Sequence, residues 1–200
     1  MKRHFSFLSV LCLLLCMAAC NNGNNKDAVE KADSANDRQA NSSNSDTSKS
    51  QMSTTAVDEN TSDFMVKVAD GGMAEVELGK LAQEKAKNAR VKSFAAMMVQ
   101  DHSQANDELK GLASQKNVTL PATVGEDHQK HKDDLSKKNG KDFDKAYMKM
   151  MVDDHQKTID KFEDASKNSK DADVKSWADK TLPKLRMHLD SAKAINSSLK

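Results

Sequence analysis

Aromatic residues, proline and glycine are all scarce in this 200-residue chain. Aromatics make up 4% of the sequence, and there are two prolines and seven glycines. β-Sandwiches and β-barrels depend on aromatic, β-branched and turn-forming residues, so their scarcity argues against both folds. The length fits one ordinary domain with accessory segments. The composition therefore favours an all-α protein.

The chain also lacks an excess of charge of either sign. Its 31 basic residues balance 30 acidic ones, which gives a formal net charge of +1. Nucleic-acid-binding domains usually carry a basic excess, so we expect no nucleic-acid partner. The three cysteines, Cys12, Cys16 and Cys20, fall within the first twenty residues. The rest of the chain must therefore fold without disulfides.

The first twenty residues have the pattern of an export signal. Two basic residues precede an apolar run at residues 5–19, which is too short for a membrane-spanning helix but typical of a signal peptide. The run ends in Met-Ala-Ala-Cys, which resembles a bacterial lipobox with Met in place of the more usual Leu. The resemblance implies a signal peptide at residues 1–19 and a lipidated Cys20 that anchors the protein to a membrane. Ordinary cleavage after Ala19, leaving a free thiol, is the alternative.

Residues 20–61 differ in composition from the rest of the chain. They contain no aromatic residue and are rich in Asn, Ser, Asp, Lys and Thr. Such a segment buries too little apolar surface to offset the entropy lost on ordering. We therefore predict a disordered tether from the lipidated Cys20 to residue 61, followed by a folded domain at residues 62–200.

Apolar residues in the folded domain recur with a helical period. The pattern predicts four long helices, at residues 63–87, 89–117, 141–168 and 172–198. Gly71-Gly72 is expected to separate a short lead-in helix from the rest of the first one. Two short hairpins joined by a long crossover between helices two and three are typical of a ferritin-like four-helix bundle.

An internal repeat supports this arrangement. The pattern Phe-x-x-Met-Met-Val-x-Asp-His at residues 94–102 recurs at residues 147–155 with Tyr in place of Phe. Two helices of the bundle are therefore expected to occupy equivalent places.

Four motifs in order along the domain carry a resemblance to a known family. They are Ala-Glu-Val-Glu-Leu-Gly at residues 74–79, Phe-Ala-x-x-Met-Val-x-Asp-His at 94–102, Phe-Asp-x-x-Tyr at 143–147 with Asp-His-Gln at 154–156, and Thr-Leu-Pro-x-Leu-x-x-His at 181–188. The chain resembles the bacterial family called domain of unknown function 4142. The resemblance implies a ferritin-like bundle on an exported, often lipid-anchored protein of the cell envelope, at the outer membrane facing the periplasm. It implies no established activity.

Four polar residues on inward helix faces are candidate metal ligands. At about 100° per residue, Glu75 shares a face with small residues, and His102, His155 and His188 each share a face with apolar ones. Glu75 and His102 are equidistant from the turn near residue 88. His155 and His188 are equidistant from the joint near residue 171, so the members of each pair should be level. Docking of the two hairpins would bring all four residues together.

Three imidazoles and one carboxylate are suitable ligands for Fe, Zn, Cu or Mn. Asp101 and Asp154 each precede one of these histidines, and carboxylates commonly orient ligand histidines, so we expect them to support the site. Nearby methionines raise Cu(I) as an option, although methionine is also an ordinary core filler. His128 and His131 lie in the polar crossover, where we expect them to be exposed and not to bind metal.

Two other functions fit the same residues. The histidines could form a hydrogen-bonded polar layer that fixes helix register without metal. The protein would then be a membrane-tethered interaction module for a partner that the sequence does not identify. An oxidase is less well supported, because di-iron bundles place Glu three residues before each ligand His, and Val99 and Val152 stand there. No motif for nucleophilic catalysis or nucleotide binding is present. We predict a protein that binds or buffers a metal rather than an enzyme.

Overall fold

The computed structural model describes residues 27–43 and 57–199, and these residues fold into helices without any strand. The predicted signal peptide and Cys20 lie outside the described residues. The all-α prediction is confirmed. The helices are α1 (Ala28–Ser43), α2 (Glu59–Lys85), α3 (Ala89–Lys116), α4 (Glu126–Ser136), α5 (Gly140–Asn168) and α6 (Ala172–Ser198).

The ends of the four long helices, α2, α3, α5 and α6, fall within four residues of the predicted limits. Side-chain caps explain why these helix ends could be predicted from the sequence. Asn88 accepts hydrogen bonds from the N–H groups of Arg90 and Val91 at the start of α3. Asp171 accepts hydrogen bonds from the N–H groups of Asp173 and Val174 at the start of α6. Such caps satisfy backbone donors that have no partner within the helix.

The predicted break in the first long helix is wrong, because α2 runs without interruption through Gly71 and Gly72. Gly72 and the later glycine Gly79 both face α3. A Cβ atom at Gly72 would lie 2.1 Å from Oδ1 of Asn106 on α3, and one at Gly79 would lie 2.8 Å from Cγ2 of Val99. A glycine inside a helix costs about 0.5–1 kcal/mol relative to alanine. Here it lets two helices approach each other closely.

The structure differs from the prediction of a disordered tether, because α1 lies within that segment and α2 already begins at Glu59. Ala32 of α1 is buried. The Asn36 side chain donates a hydrogen bond to the carbonyl of Thr119 at 3.1 Å and accepts one from its N–H at 2.8 Å. Tertiary contacts of this kind hold a helix that its polar composition alone does not favour.

The four long helices form two hairpins, α2 with α3 and α5 with α6, and the hairpins meet where α2 packs on α5 and α3 packs on α6. Two apolar clusters fill the interior. Along α3, Met98 belongs to one cluster and Leu109 to the other. Along α5, Met151 and Ile159 divide in the same way. The predicted histidine positions fall where the two clusters meet.

A long crossover, residues 117–139, joins α3 to α5 and contains α4, which packs on α2 and α5. Asp70 of α2 holds the start of α4. Its carboxylate accepts hydrogen bonds from the N–H of Gly125 at 2.7 Å and from Nδ1 of His128 at 2.8 Å. His128 is therefore half-buried rather than exposed as predicted, whereas His131 is exposed. No helix in the described ranges has the length and apolar character needed to cross a membrane.

The contact between Asp70 and His128 makes the docking of α4 depend on pH. The hydrogen bond to Asp70 raises the pKa of His128, and Asp154 adds to this while burial and Lys161 oppose it. Burial alone would raise the pKa of Asp70, but hydrogen bonds from His128 and Gly125 outweigh burial and lower it. The pair is therefore an ion pair over a range of pH that reaches above the ordinary pKa of histidine.

We predict that His128→Asn destabilises the protein in a pH-dependent way. The stabilisation from charged His128 is fully present below about pH 6.5 and is lost as the pH rises through its raised pKa; that from ionised Asp70 is lost as the pH falls through its lowered pKa. At pH 5.5 the variant should lose roughly 1–2 kcal/mol of unfolding free energy, and the loss should shrink at higher pH. Urea unfolding of both proteins across a pH series measures this. His131→Asn is the matched control and should show no such trend, and a loss for His128→Asn that is constant with pH would contradict the prediction.

Candidate metal centre

Each long helix contributes one of the four predicted ligands: Glu75 from α2, His102 from α3, His155 from α5 and His188 from α6. All four are buried, with exposed fractions of 8%, 8%, 1% and 1%. The three imidazole rings form a nearly equilateral triangle with centroids 5.4–5.5 Å apart. The structure thus brings together the three histidines whose faces and heights predicted that they would meet.

One ring nitrogen of each histidine has no hydrogen-bond partner. These atoms are Nε2 of His102, Nε2 of His155 and Nδ1 of His188. The three side chains offer ligand atoms that all lie within 4.8 Å of one another. Buried polar atoms are nearly always paired, so three unpaired nitrogens in one cluster require an explanation. A bound cation is one such explanation.

The other nitrogen of two of these rings is held in place. Nδ1 of His155 donates to the carbonyl of Met151 at 2.9 Å, and Nε2 of His188 donates to Oδ2 of Asp101 at 2.8 Å. These bonds fix the tautomers and leave a lone pair on the nitrogen that has no partner. Histidines that bind metals commonly have this arrangement, because the second hydrogen bond orients the ring and increases its basicity.

The three histidines are neutral at pH 7. Burial, together with the neighbouring histidines, lowers the pKa of His102 to about 3. Burial also lowers the pKa of His155 to about 4. It lowers the pKa of His188 as well, although the hydrogen bond to Asp101 opposes the shift. Neutral imidazole is the form that binds a metal ion, so no proton has to be displaced from these rings.

Glu75 lies beside the cluster rather than within it. Its Oε1 is 3.7 Å from Nδ1 of His155, the nitrogen that already donates to Met151. The group of side chains in mutual reach contains the three histidines without Glu75. Burial raises the pKa of Glu75 to about 8, and the charge of Asp154 adds to the shift. The Glu75 carboxyl is therefore mostly protonated at pH 7.

The two aspartates expected to support the ligands occupy different environments. Asp101 accepts hydrogen bonds from His188 and Lys184, so it contacts the histidine of another helix and not its sequence neighbour. Burial would raise the pKa of Asp101, but these two bonds outweigh it and lower the pKa. Asp154 is half-buried and forms no hydrogen bond or ion pair in the described part of the chain. Burial raises the pKa of its carboxyl.

A cavity of about 350 Å³ connects the cluster with the surface. His102, His188 and Glu75 line its inner part, and residues of α4 and α5 line its outer part. The buried methionines Met98 and Met151 belong to an apolar cluster of the core. Of the three histidines, His102 and His188 line the cavity, and none of its lining residues in the described part of the chain is a methionine.

The fold and the site together define a class of protein, an all-α bundle with a buried cluster of three neutral histidines at its centre. The chain belongs to the family described as "Domain of unknown function (DUF4142)", which matches residues 46–195. This membership confirms the predicted family.

No curated protein matches the chain. Among solved structures, it is similar to one described as "CopM in the Cu(II)-bound form", with 16% sequence identity and a TM-score of 0.61. The similarity covers 70% of this chain and 97% of that chain. At this identity the likeness shows that the two proteins share a fold.

We predict that His102→Leu stabilises the metal-free protein. The variant removes a buried nitrogen that has no partner and leaves a side chain of similar volume. The free energy of unfolding should therefore rise by about 1–2 kcal/mol, as measured by urea unfolding in the presence of a chelator. Met98→Leu, one turn earlier on the same helix, is the control and should change the stability only slightly. A hydrogen-bonded polar layer would give the opposite sign, because the substitution would then break a hydrogen bond.

Proposed function

We propose that this protein binds a transition metal ion, Cu(II), through His102, His155 and His188. The observation that carries the proposal is that each of the three buried histidines has an unpaired ring nitrogen and offers a ligand atom within 4.8 Å of those of the other two. Nitrogen ligands about 2.0–2.1 Å from one metal ion are roughly 3–4 Å apart. The ligand atoms of the three histidines lie within 4.8 Å of one another, so ring movements of about 1 Å would bring all three to a single ion.

The choice of copper has two supports. Imidazole ligands suit Zn, Cu, Fe and Ni, and Cu(II) binds most tightly among the divalent ions of this series. The neighbouring structure CopM is described in a Cu(II)-bound form. Cu(I) prefers thioether and thiolate ligands, and Met98 and Met151 lie in the apolar core cluster. The Asp101 carboxylate, which accepts a hydrogen bond from His188, supplies negative charge beside the ion.

The metal-free alternatives have less support. A hydrogen-bonded polar layer requires partners for the ring nitrogens, and one nitrogen on each ring has none. An interaction module would be expected to expose an apolar patch. Within the described residues, Met187 is the one large hydrophobic side chain that is exposed. Binding or buffering of a metal ion is the function that the geometry supports best.

We predict that the protein, purified without a polyhistidine tag and equilibrated with Cu(II), retains about one copper ion per chain after desalting. The double variant His102→Ala/His155→Ala should lose copper roughly tenfold or more, because a single imidazole cannot hold the ion in the core. Mass spectrometry of metals measures the content, and electron paramagnetic resonance should show nitrogen ligands. His131→Ala is the control, because it removes an exposed histidine outside the cluster.

Circular dichroism verifies that the variants are folded. Full copper content in the double variant, or none in the wild type, would rule out the site.

We also propose that the protein is anchored in the cell envelope through a lipidated Cys20, at the outer membrane facing the periplasm. The lipobox-like sequence before Cys20 supports this proposal. We predict that the wild type incorporates labelled palmitate and sediments with membranes, whereas Cys20→Ala is unlabelled and moves to the soluble fraction, because acyl chains supply the anchoring energy. Cys16→Ala is the control and should behave like the wild type. A labelled Cys20→Ala protein would contradict the lipidation site.

A further inference from the structure

The cavity that reaches the histidine cluster also has imidazole and carboxylate side chains in its outer part. His128 and His131 of α4 and Asp154 of α5 line this outer part, while His102 and His188 line the inner part. The rings of His128 and His131 are in contact, with centroids 6.2 Å apart. Carboxylate and imidazole groups thus lie at both ends of a single cavity.

Asp154, in the outer part, interacts electrostatically with residues at both ends of the cavity. Its charge raises the pKa of Glu75, which is next to His155, and it interacts with the charges of Lys157, His128 and His131 in the outer part. It is half-buried and has no hydrogen bond or ion pair among the residues that the structure describes. A half-buried carboxylate that lines a cavity and has no hydrogen bond or ion pair is well placed to attract a cation.

The two outer histidines differ in their freedom to bind. His128 is held by Asp70 and forms a fixed part of the rim. His131 is exposed, forms no hydrogen bond or ion pair in the described part of the chain, and contacts the ring of His128. Lys157 and Lys161 also line the cavity, but both are exposed, so solvent screens their charges more than that of Asp154.

We propose that this cavity is the uptake route for the metal ion, and that Asp154 and His131 hold the incoming ion transiently before it reaches the three-histidine cluster. The inference rests on the proposed function. One oxygen and one nitrogen ligand at the mouth make a weak site, and three imidazoles in the core make a stronger one. The ion therefore moves inward from the weaker site to the stronger one.

A transient site on the route affects rates rather than affinity. It lowers the barrier between solvent and the cluster, and the same barrier is crossed in both directions. Removing Asp154 or His131 should therefore slow binding and release by the same factor and leave the dissociation constant nearly unchanged. A ligand of the final site, in contrast, would mainly change the rate of release.

The single tryptophan of the chain offers the readout, because Trp177 lines the cavity. Quenching of its fluorescence by Cu(II) in a stopped-flow instrument gives the binding rate, and a chelator chase gives the release rate. We expect Asp154→Asn and His131→Gln each to slow both rates by roughly tenfold, the scale of charge effects on association. The dissociation constant should change by no more than about twofold.

Asp153→Asn is the matched control. It removes the same charge one residue earlier in α5, but Asp153 pairs with Lys149 and is absent from the cavity wall. Its rates should equal those of the wild type. His131 is exposed, so its variant also guards against a loss of rate through misfolding.

Three results would overturn the inference. Wild-type rates in both variants would show that the ion takes another route. A change in release alone, with a weaker dissociation constant, would make Asp154 part of the final site. A wild type that binds no copper, measured as metal content before the kinetics, would remove the proposed function together with this inference, whereas bound copper with unchanged rates would remove only the inference.

Discussion

The burial of three neutral imidazoles where two apolar clusters meet is the constraint on which the centre of the bundle depends. Each ring comes from a different helix, and desolvation keeps all three uncharged, so they approach each other without charge repulsion. Three ring nitrogens lack hydrogen-bond partners in the core, and burying such atoms lowers the free energy of unfolding. The same unpaired nitrogens form a place in the core that could hold a cation.

Most of the fold was predictable because its signals are local. Helical periodicity and side-chain caps such as Asn88 and Asp171 mark the ends of the long helices. The errors arose where a tertiary contact decided the outcome. Gly71-Gly72 is a usual sign of a helix end, but here Gly72 accommodates Asn106. The polar helix α1 owes its place to contacts such as that between Asn36 and Thr119, which are remote in sequence.

The candidate site was predictable to a similar degree. Helix faces and equal heights identified His102, His155 and His188, because both follow from helix geometry. The inward face of Glu75 was also correct, but a face does not give the distance to an individual nitrogen. The role of Asp70 was missed, because its partner His128 lies in a crossover whose path the sequence does not specify.

The packing of α2 against α3 has a consequence for the proposed metal site. In a synthetic chelator, the rigid backbone fixes the distances between the ligand atoms and thereby the size of ion that fits. Under the proposed function, Gly79 has that role, because a Cβ atom there would lie 3.1 Å from the carbonyl oxygen of Ala95, so its absence lets α2 and α3 lie close together. His102 and His155 stand on helices that face each other across the core, so the width of the bundle is the dimension that they must span. If the cluster binds metal as proposed, its selectivity among ions of similar size would depend in part on a glycine that does not contact the ion.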